Sequence, residues 1–443
     1  MRSNQAAVGR PSGSDMPWSS SLLSLPKDIV VRCASAVALC VYVGLYLPVL
    51  GRNRSPPRLR KMEDMITKPQ AEDAPVYRQP PPWTSRILYA TKLHGLQSWF
   101  YQRASFQFWK AYWFPPPGAP DVIKQYDCRP NLLVRIFFPS DYDQTSPQTL
   151  PTLFSIHGGG FSIGVPDDDD AWNRTFADLN GALVVALNYW KAPWSPWPNG
   201  LHDLEALYLA AVEDQSLPID RSRIAITGFS AGGNYSLCLS QMKSIKGHPT
   251  ASPKAVMPIY PPVDFATPLE KKEHRRPFKV GQLSGIRGEK RDFVYAFAPV
   301  FDWSYVPYGT NLRDPLLSPM YASRADFPDN VCVVGAELDY LAWEAWDFAC
   351  KLGGKKPTSA TVGRKEVAKT QELEMADERF AWEVKDDRGS VRWLLVPDVI
   401  HAFDMHEMGA MVSDPETVRD GNAKAVKVIK VLGDWLKSSA WKV

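Results

Sequence analysis

Residues 224–233 read Ile-Ala-Ile-Thr-Gly-Phe-Ser-Ala-Gly-Gly, an apolar, β-branched run that stops at a glycine and passes into a helix-compatible segment, 234–243. Gly228 and Gly232, two before and two after Ser230, leave room for a tight strand-to-helix turn that lifts a serine hydroxyl above the end of a sheet. The first N–H groups of the following helix then face whatever that hydroxyl attacks. Glycine and serine are also ordinary turn residues, so the stretch takes its meaning from its surroundings.

Upstream, 152–156 reads as a strand and runs into His157-Gly158-Gly159-Gly160-Phe161. Three successive glycines strip a turn of every Cβ and let backbone N–H groups converge on one point, as a site for a developing oxyanion requires. Further strands are predicted at 132–138, 182–189, 255–260, 331–335 and 391–396, with a helix over 201–212 between two of them. This alternation implies an α/β fold with a mostly parallel central sheet flanked by helices. Two carboxylates, Glu337 and Asp339, follow the strand at 331–335, and spacing alone does not choose between them. His401 follows the strand at 391–396, with His406 as the competing imidazole.

The composition is that of a globular chain: 443 residues, 45% hydrophobic, 12% aromatic and 22% charged, with a formal net charge of +3. That mild charge, part of it in a basic cluster at 52–61, points to no nucleic-acid partner. The histidines and the six cysteines lack zinc-ligand spacing, so no metal is expected, and the cysteine usage demands no oxidising compartment. Four adjacent carboxylates, Asp167 to Asp170, read as a solvated helix start rather than a cation site. Asn173-Arg174-Thr175 is a glycosylation triplet should the domain be luminal.

Residues 1–28 are rich in Ser, Pro and Gly and read as a disordered tail. Residues 29–50 form an apolar run long enough to span a bilayer as a helix, with Arg32 its one charge, and they read as a single-pass transmembrane anchor. Arg52, Arg54, Arg58, Arg60 and Lys61 follow it. The charge balance across the run favours a cytoplasmic C-terminal domain, and an endomembrane location is expected. Residues 51–82 read as a basic, Pro-rich linker. A domain over 83–440 follows, with aromatic-rich cap regions at 83–127 and 264–328 and a charged, solvated insertion at 353–389.

On the glycine-rich turn at 157–161 and the elbow at 228–232, the chain resembles the hormone-sensitive-lipase-like branch of the α/β-hydrolases, the group that includes arylacetamide deacetylase. The resemblance covers about residues 130–440. Asn188 to Trp194 stands where the family usually has D-Y-R-L-A-P-E, Phe229 where it has Asp or Thr, and Ala402 where it has the glycine of H-G-F. Membership implies Ser230 as nucleophile, His401 as base and Asp339, at the D-x-L position, as the orienting acid. It also implies an oxyanion hole from the N–H groups of Gly159, Gly160 and Ala231, and no cofactor. The expected activity is hydrolysis of a hydrophobic small-molecule ester. An amidase, formamidase or deacetylase would use the same triad, and a non-catalytic ligand receptor is the third class on such a scaffold.

Overall fold

The structure is a computed structural model that describes residues 74–442, except 115, 274, 276–278, 280, 359–361 and 406–413. The tail at 1–28, the apolar run at 29–50, most of the linker and His406 lie outside the described residues. Among the described residues, no helix is long and apolar enough to cross a membrane.

Nine strands form one sheet: β1 (Val122–Lys124), β2 (Val134–Phe137), β3 (Leu150–Ile156), β4 (Leu183–Leu187), β5 (Ile219–Phe229), β6 (Ala255–Ile259), β7 (Asn330–Ala336), β8 (Ala381–Lys385) and β9 (Ser390–Val396). Their order is β1-β2-β4-β3-β5-β6-β7-β9-β8. From β4 to β9 every pairing is parallel, and antiparallel pairs close both edges, β1 and β2 on one side and β8 on the other.

The strand sequences show why the sheet sits in the middle. Along β4, Leu183, Val185 and Leu187 enter one core cluster while Val184 and Ala186 enter another, and β7 divides Val331 and Val333 from Cys332 and Val334 in the same way. Successive side chains alternate across a strand, so apolar residues at every position need a helical layer on both faces. Helix α1 (Trp83–Trp113) precedes the sheet. Helix α2 (Asp170–Asn180) and the long C-terminal helix cover one face. Helix α3 (Asn199–Glu213), helix α4 (Ala231–Gln241) and a helix at Ala342–Leu352 cover the other.

Four expectations need correction. β1 is a strand inside the expected cap region 83–127; it belongs to the sheet because Val122 to Lys124 pair with Val134 to Ile136. The end of the 51–82 linker joins the domain: Tyr77 bridges Asn311, and Leu312 N donates to Val76 O at 2.7 Å. The stretch 353–389 is no simple solvated excursion, since Val362 and Phe380 are buried and 381–385 is β8. Asp169 is buried, Asp168 is half-buried beside Arg103 and Asp170 is paired with Arg135, because the chain forms a short 3₁₀ segment there whose carboxylates meet the domain rather than water.

Candidate active site

The elbow forms as its glycines require. β5 ends at Phe229, α4 begins at Ala231, and Ser230 between them has φ 52° and ψ −117°. A Cβ on Gly228 would lie 2.1 Å from Gly232 O, and one on Gly232 would lie 2.0 Å from Ile156 O. Only glycine therefore fits at either position, and the turn between them forces a serine into left-handed φ at a cost of roughly 1–3 kcal/mol. Ser230 N donates to Ile259 O at 2.9 Å and Asn234 N donates to Ser230 O at 3.0 Å, which ties the strained residue to β6 and α4. Phe229 is buried in the core, edge-on to Trp172.

Three side chains from three loops meet here. His401 Nε2 lies 2.8 Å from Ser230 Oγ, and His401 Nδ1 lies 2.6 Å from Asp339 Oδ2. The carboxylate accepts, so Nδ1 carries the proton and Nε2 presents a lone pair to the serine hydroxyl. Leu341 N donates to the other Asp339 oxygen at 3.0 Å. Burial pulls the His401 pKa down, but the Asp339 charge and hydrogen bond outweigh it and leave the pKa above the ordinary 6.5. Glu337 turns elsewhere: it is fully buried, its Oε2 lies 2.8 Å from Lys279 Nζ, and it accepts from Arg364 N and Asp398 N.

The glycine-rich turn lies beside the elbow. Gly158 sits so close that a Cβ there would lie 3.1 Å from Phe229 O. Gly159 (φ 108°) and Gly160 (φ 54°) take left-handed conformations, and the Gly159 carbonyl accepts from Ser162 N and Ile163 N. Ala231 opens α4, so its N–H belongs to the first helical turn, which lacks intrahelical acceptors.

Beneath this turn lies a network that the sequence reading did not foresee. Lys191 is buried, with Nζ 3.1 Å from His157 Nε2, 3.0 Å from Asn188 Oδ1 and 3.9 Å from the centre of the Tyr189 ring. Burial lowers its pKa to about 7, against the opposing pull of Asp168 and Asp203. Burial, then the Lys191 charge, hold the His157 imidazole well below its usual range, so that ring is neutral. His157 Nδ1 lies 2.8 Å from Gly158 O, and a carbonyl only accepts. The shorter Nδ1 contact takes the proton, which leaves Nε2, 3.3 Å from Asn188 Oδ1, to accept from Lys191. The signal was present in Asn188-Tyr189-Trp190-Lys191, but nothing local told a buried lysine from a surface one.

Above Ser230 lies a cavity of about 130 Å³ walled by Leu96, Phe100, Ile163, Phe265, Phe293, Phe297, Phe301, Leu341 and Met405. Leu96 and Phe100 come from α1, and Phe293, Phe297 and Phe301 from the expected cap region 264–328. Asn173 is wholly buried with its amide unpartnered, so the glycosylation triplet is closed to a glycan in the folded domain. Among the described residues, no group of three or more His, Cys, Asp or Glu side chains is placed to hold a metal ion.

A mostly parallel sheet bearing a serine on a strained strand-to-helix turn, with a histidine and a carboxylate beyond later strands, is the α/β-hydrolase architecture. Residues 153–371 match the family model described as alpha/beta hydrolase fold, and the chain is similar to that family over this stretch. It is 36% identical over 141 residues to carboxylesterase NlhH of Mycobacterium tuberculosis, covering 30% of this chain and 43% of that protein. To the ethyl acetate hydrolase of Pseudomonas putida it is 28% identical over 215 residues, 48% of this chain and 62% of that one. The chain thus spans about half the length of these curated relatives. The hyperthermophilic esterase from Pyrobaculum calidifontis has the same fold, with a TM-score of 0.54 at 20% identity over 78% of this chain and 91% of that one.

Proposed function

We propose that the chain is a serine carboxylic-ester hydrolase for a hydrophobic small-molecule ester. The observation that carries this reading is the unbroken line from Ser230 Oγ through His401 to Asp339, opening on an aromatic cavity. His401 Nε2 takes the Ser230 proton as Oγ attacks the acyl carbon. The carbonyl electrons move onto oxygen, which the N–H groups of Gly159, Gly160 and Ala231 receive, each donor being worth roughly 3 kcal/mol of barrier. Collapse expels the alcohol with the proton from His401. Water then repeats the cycle on the serine ester, releasing the acid and restoring Ser230. Asp339 keeps the proton of His401 on Nδ1 throughout and stabilises the imidazolium.

The named activities of the relatives, a carboxylesterase and an ethyl acetate hydrolase, agree with this reaction class. Residues 29–50 are proposed as a single-pass anchor that holds the domain at an endomembrane. The test of the chemistry is labelling with a fluorophosphonate probe alongside p-nitrophenyl esters of increasing acyl length. Wild type should be labelled and hydrolyse the esters, and Ser230→Ala should do neither. Labelling that persists in Ser230→Ala would reject the assignment.

A further inference from the structure

Helix α1 is apolar on two sides at once. One side, with Ala90, Leu93 and Phe100, is buried against the domain, where Gln97 Nε2 donates to Ser162 O at 2.8 Å and Ala192 O at 2.9 Å. The other carries Trp83 (70% exposed), Leu88 (51%), Trp99 (41%), Phe106 (63%) and Trp109 (49%). At 3.6 residues per turn these five fall within an arc of about 160°. A row of this size on a folded surface marks a place of contact.

We propose that this outward face of α1 seats in the headgroup region of an anionic lipid bilayer, and that the ester substrate is one dissolved in that bilayer. The second half rests on the hydrolase reading; the first does not.

Charge distinguishes a lipid surface from other occupants. The 31 residues of α1 hold Arg86, Lys92, Arg103 and Lys110 and no acidic residue. Arg86 and Arg103 turn toward the protein, donating to Pro81 O and Asp168. Lys92 and Lys110 are exposed, and they fall on one line of the helix at the margin of the aromatic arc. Tryptophan and phenylalanine flanked by lysines match a bilayer's interface, where rings enter the acyl boundary and ammonium groups meet lipid phosphates. A second copy docking by the same face would set lysine against lysine across a two-fold axis. The chain before α1 adds Arg52, Arg54, Arg58, Arg60 and Lys61, a polybasic stretch that favours anionic lipid.

The same helix reaches the active site, since Leu96 and Phe100 wall the cavity over Ser230. One element therefore contributes both the bilayer face and the entrance wall of an apolar site. An ester that partitions into lipid is the substrate such an arrangement serves.

The test uses the full chain with Cys33→Ser, Cys40→Ser and Cys128→Ser, labelled with an environment-sensitive fluorophore at Phe106→Cys or, as control, at Lys427→Cys on the C-terminal helix. On adding phosphatidylcholine vesicles containing phosphatidylglycerol, the label at 106 should shift to the blue and be quenched by nitroxide lipids, while that at 427 stays in water. A label at 106 that stays in water while the chain floats with the vesicles overturns the proposal, leaving residues outside the described domain to hold the membrane. A blue shift at 106 that depends on protein concentration and not on lipid overturns it in favour of a second copy. Phe106→Ser combined with Trp109→Ser should lower hydrolysis of vesicle-dissolved p-nitrophenyl palmitate about tenfold and leave soluble p-nitrophenyl acetate unchanged. Equal loss on both esters counts against a lipid-borne substrate. If wild type cleaves neither ester, the hydrolase reading fails while the quenching measurement still decides the face.

Discussion

Lys191 shows how much of this site depends on one side chain that never touches the reacting atoms. Its amine fixes the proton of His157 on Nδ1, and that N–H holds the Gly158 carbonyl, the hinge of the glycine turn. Lys191→Met should lower kcat for a soluble ester about tenfold with little change in KM, since the substrate pocket is untouched and only an oxyanion donor loosens. Its melting temperature should not fall, because an apolar side chain of similar volume replaces a buried charge. An unchanged kcat would remove Lys191 from the positioning role. The two acids divide in the same manner. Asp339→Asn should cut kcat by roughly 10⁴ with the fold intact. Glu337→Gln leaves the triad whole but weakens a buried ion pair with Lys279, so it should destabilise by about 3 kcal/mol and spare kcat in the folded fraction. The reverse pattern in melting curves and rates would exchange their roles. His401 also sets a pH limb. It must be neutral to accept the Ser230 proton and its pKa lies above 6.5, so kcat/KM should rise with pH through an inflection above that value. The stability linkage has the opposite sense: a raised histidine pKa contributes stability that is present below 6.5 and lost as pH rises through the folded value. A rate inflection below pH 6 would contradict the Asp339 pairing.

The strand, turn and helix of the elbow form a unit whose geometry follows from two missing methyl groups. Gly228→Ala places a Cβ against Gly232 O, backbone that cannot swing aside, and should cost about 3 kcal/mol and abolish probe labelling. Normal melting together with normal labelling would mean that the turn relaxes and that its strain is dispensable. This element was readable because its constraint is local: glycine, serine and glycine at fixed offsets between a strand and a helix. The four aspartates were misread because burial is not local. Asp170 reaches Arg135 on β2, and Asp168 accepts from Val165 N and pairs with Arg103 on α1, partners far away or ambiguous in the sequence. Strand β8 was missed for a similar reason. Ala381 to Lys385 is an edge strand half open to water, and its pairing with β9 is recorded in the partner rather than in its own hydropathy.

Across the whole molecule, the domain takes in the expected linker from at least residue 74, whose carbonyl accepts from Arg313. A chain starting there keeps the pairing of 76–78 with 310–312, and it should be folded and active on soluble esters. One starting at 83 loses that pairing beside the cap and should melt lower. Equal melting of the two would make the pairing incidental. The alternation of strands and helices, the two glycine turns, and Ser230 and His401 could be recognised from residue order, because each rests on periodicity or on spacing within a few residues. Long-range contacts decided the rest. The choice of Asp339 over Glu337 came from which carboxylate met His401 and which met Lys279. The bracing of the glycine turn came from a lysine that burial alone makes consequential. The two-sided helix α1 became visible only when one apolar face was seen packed and the other bare. Solvent exposure and partner identity are properties of the assembled chain, and no window of sequence carries them.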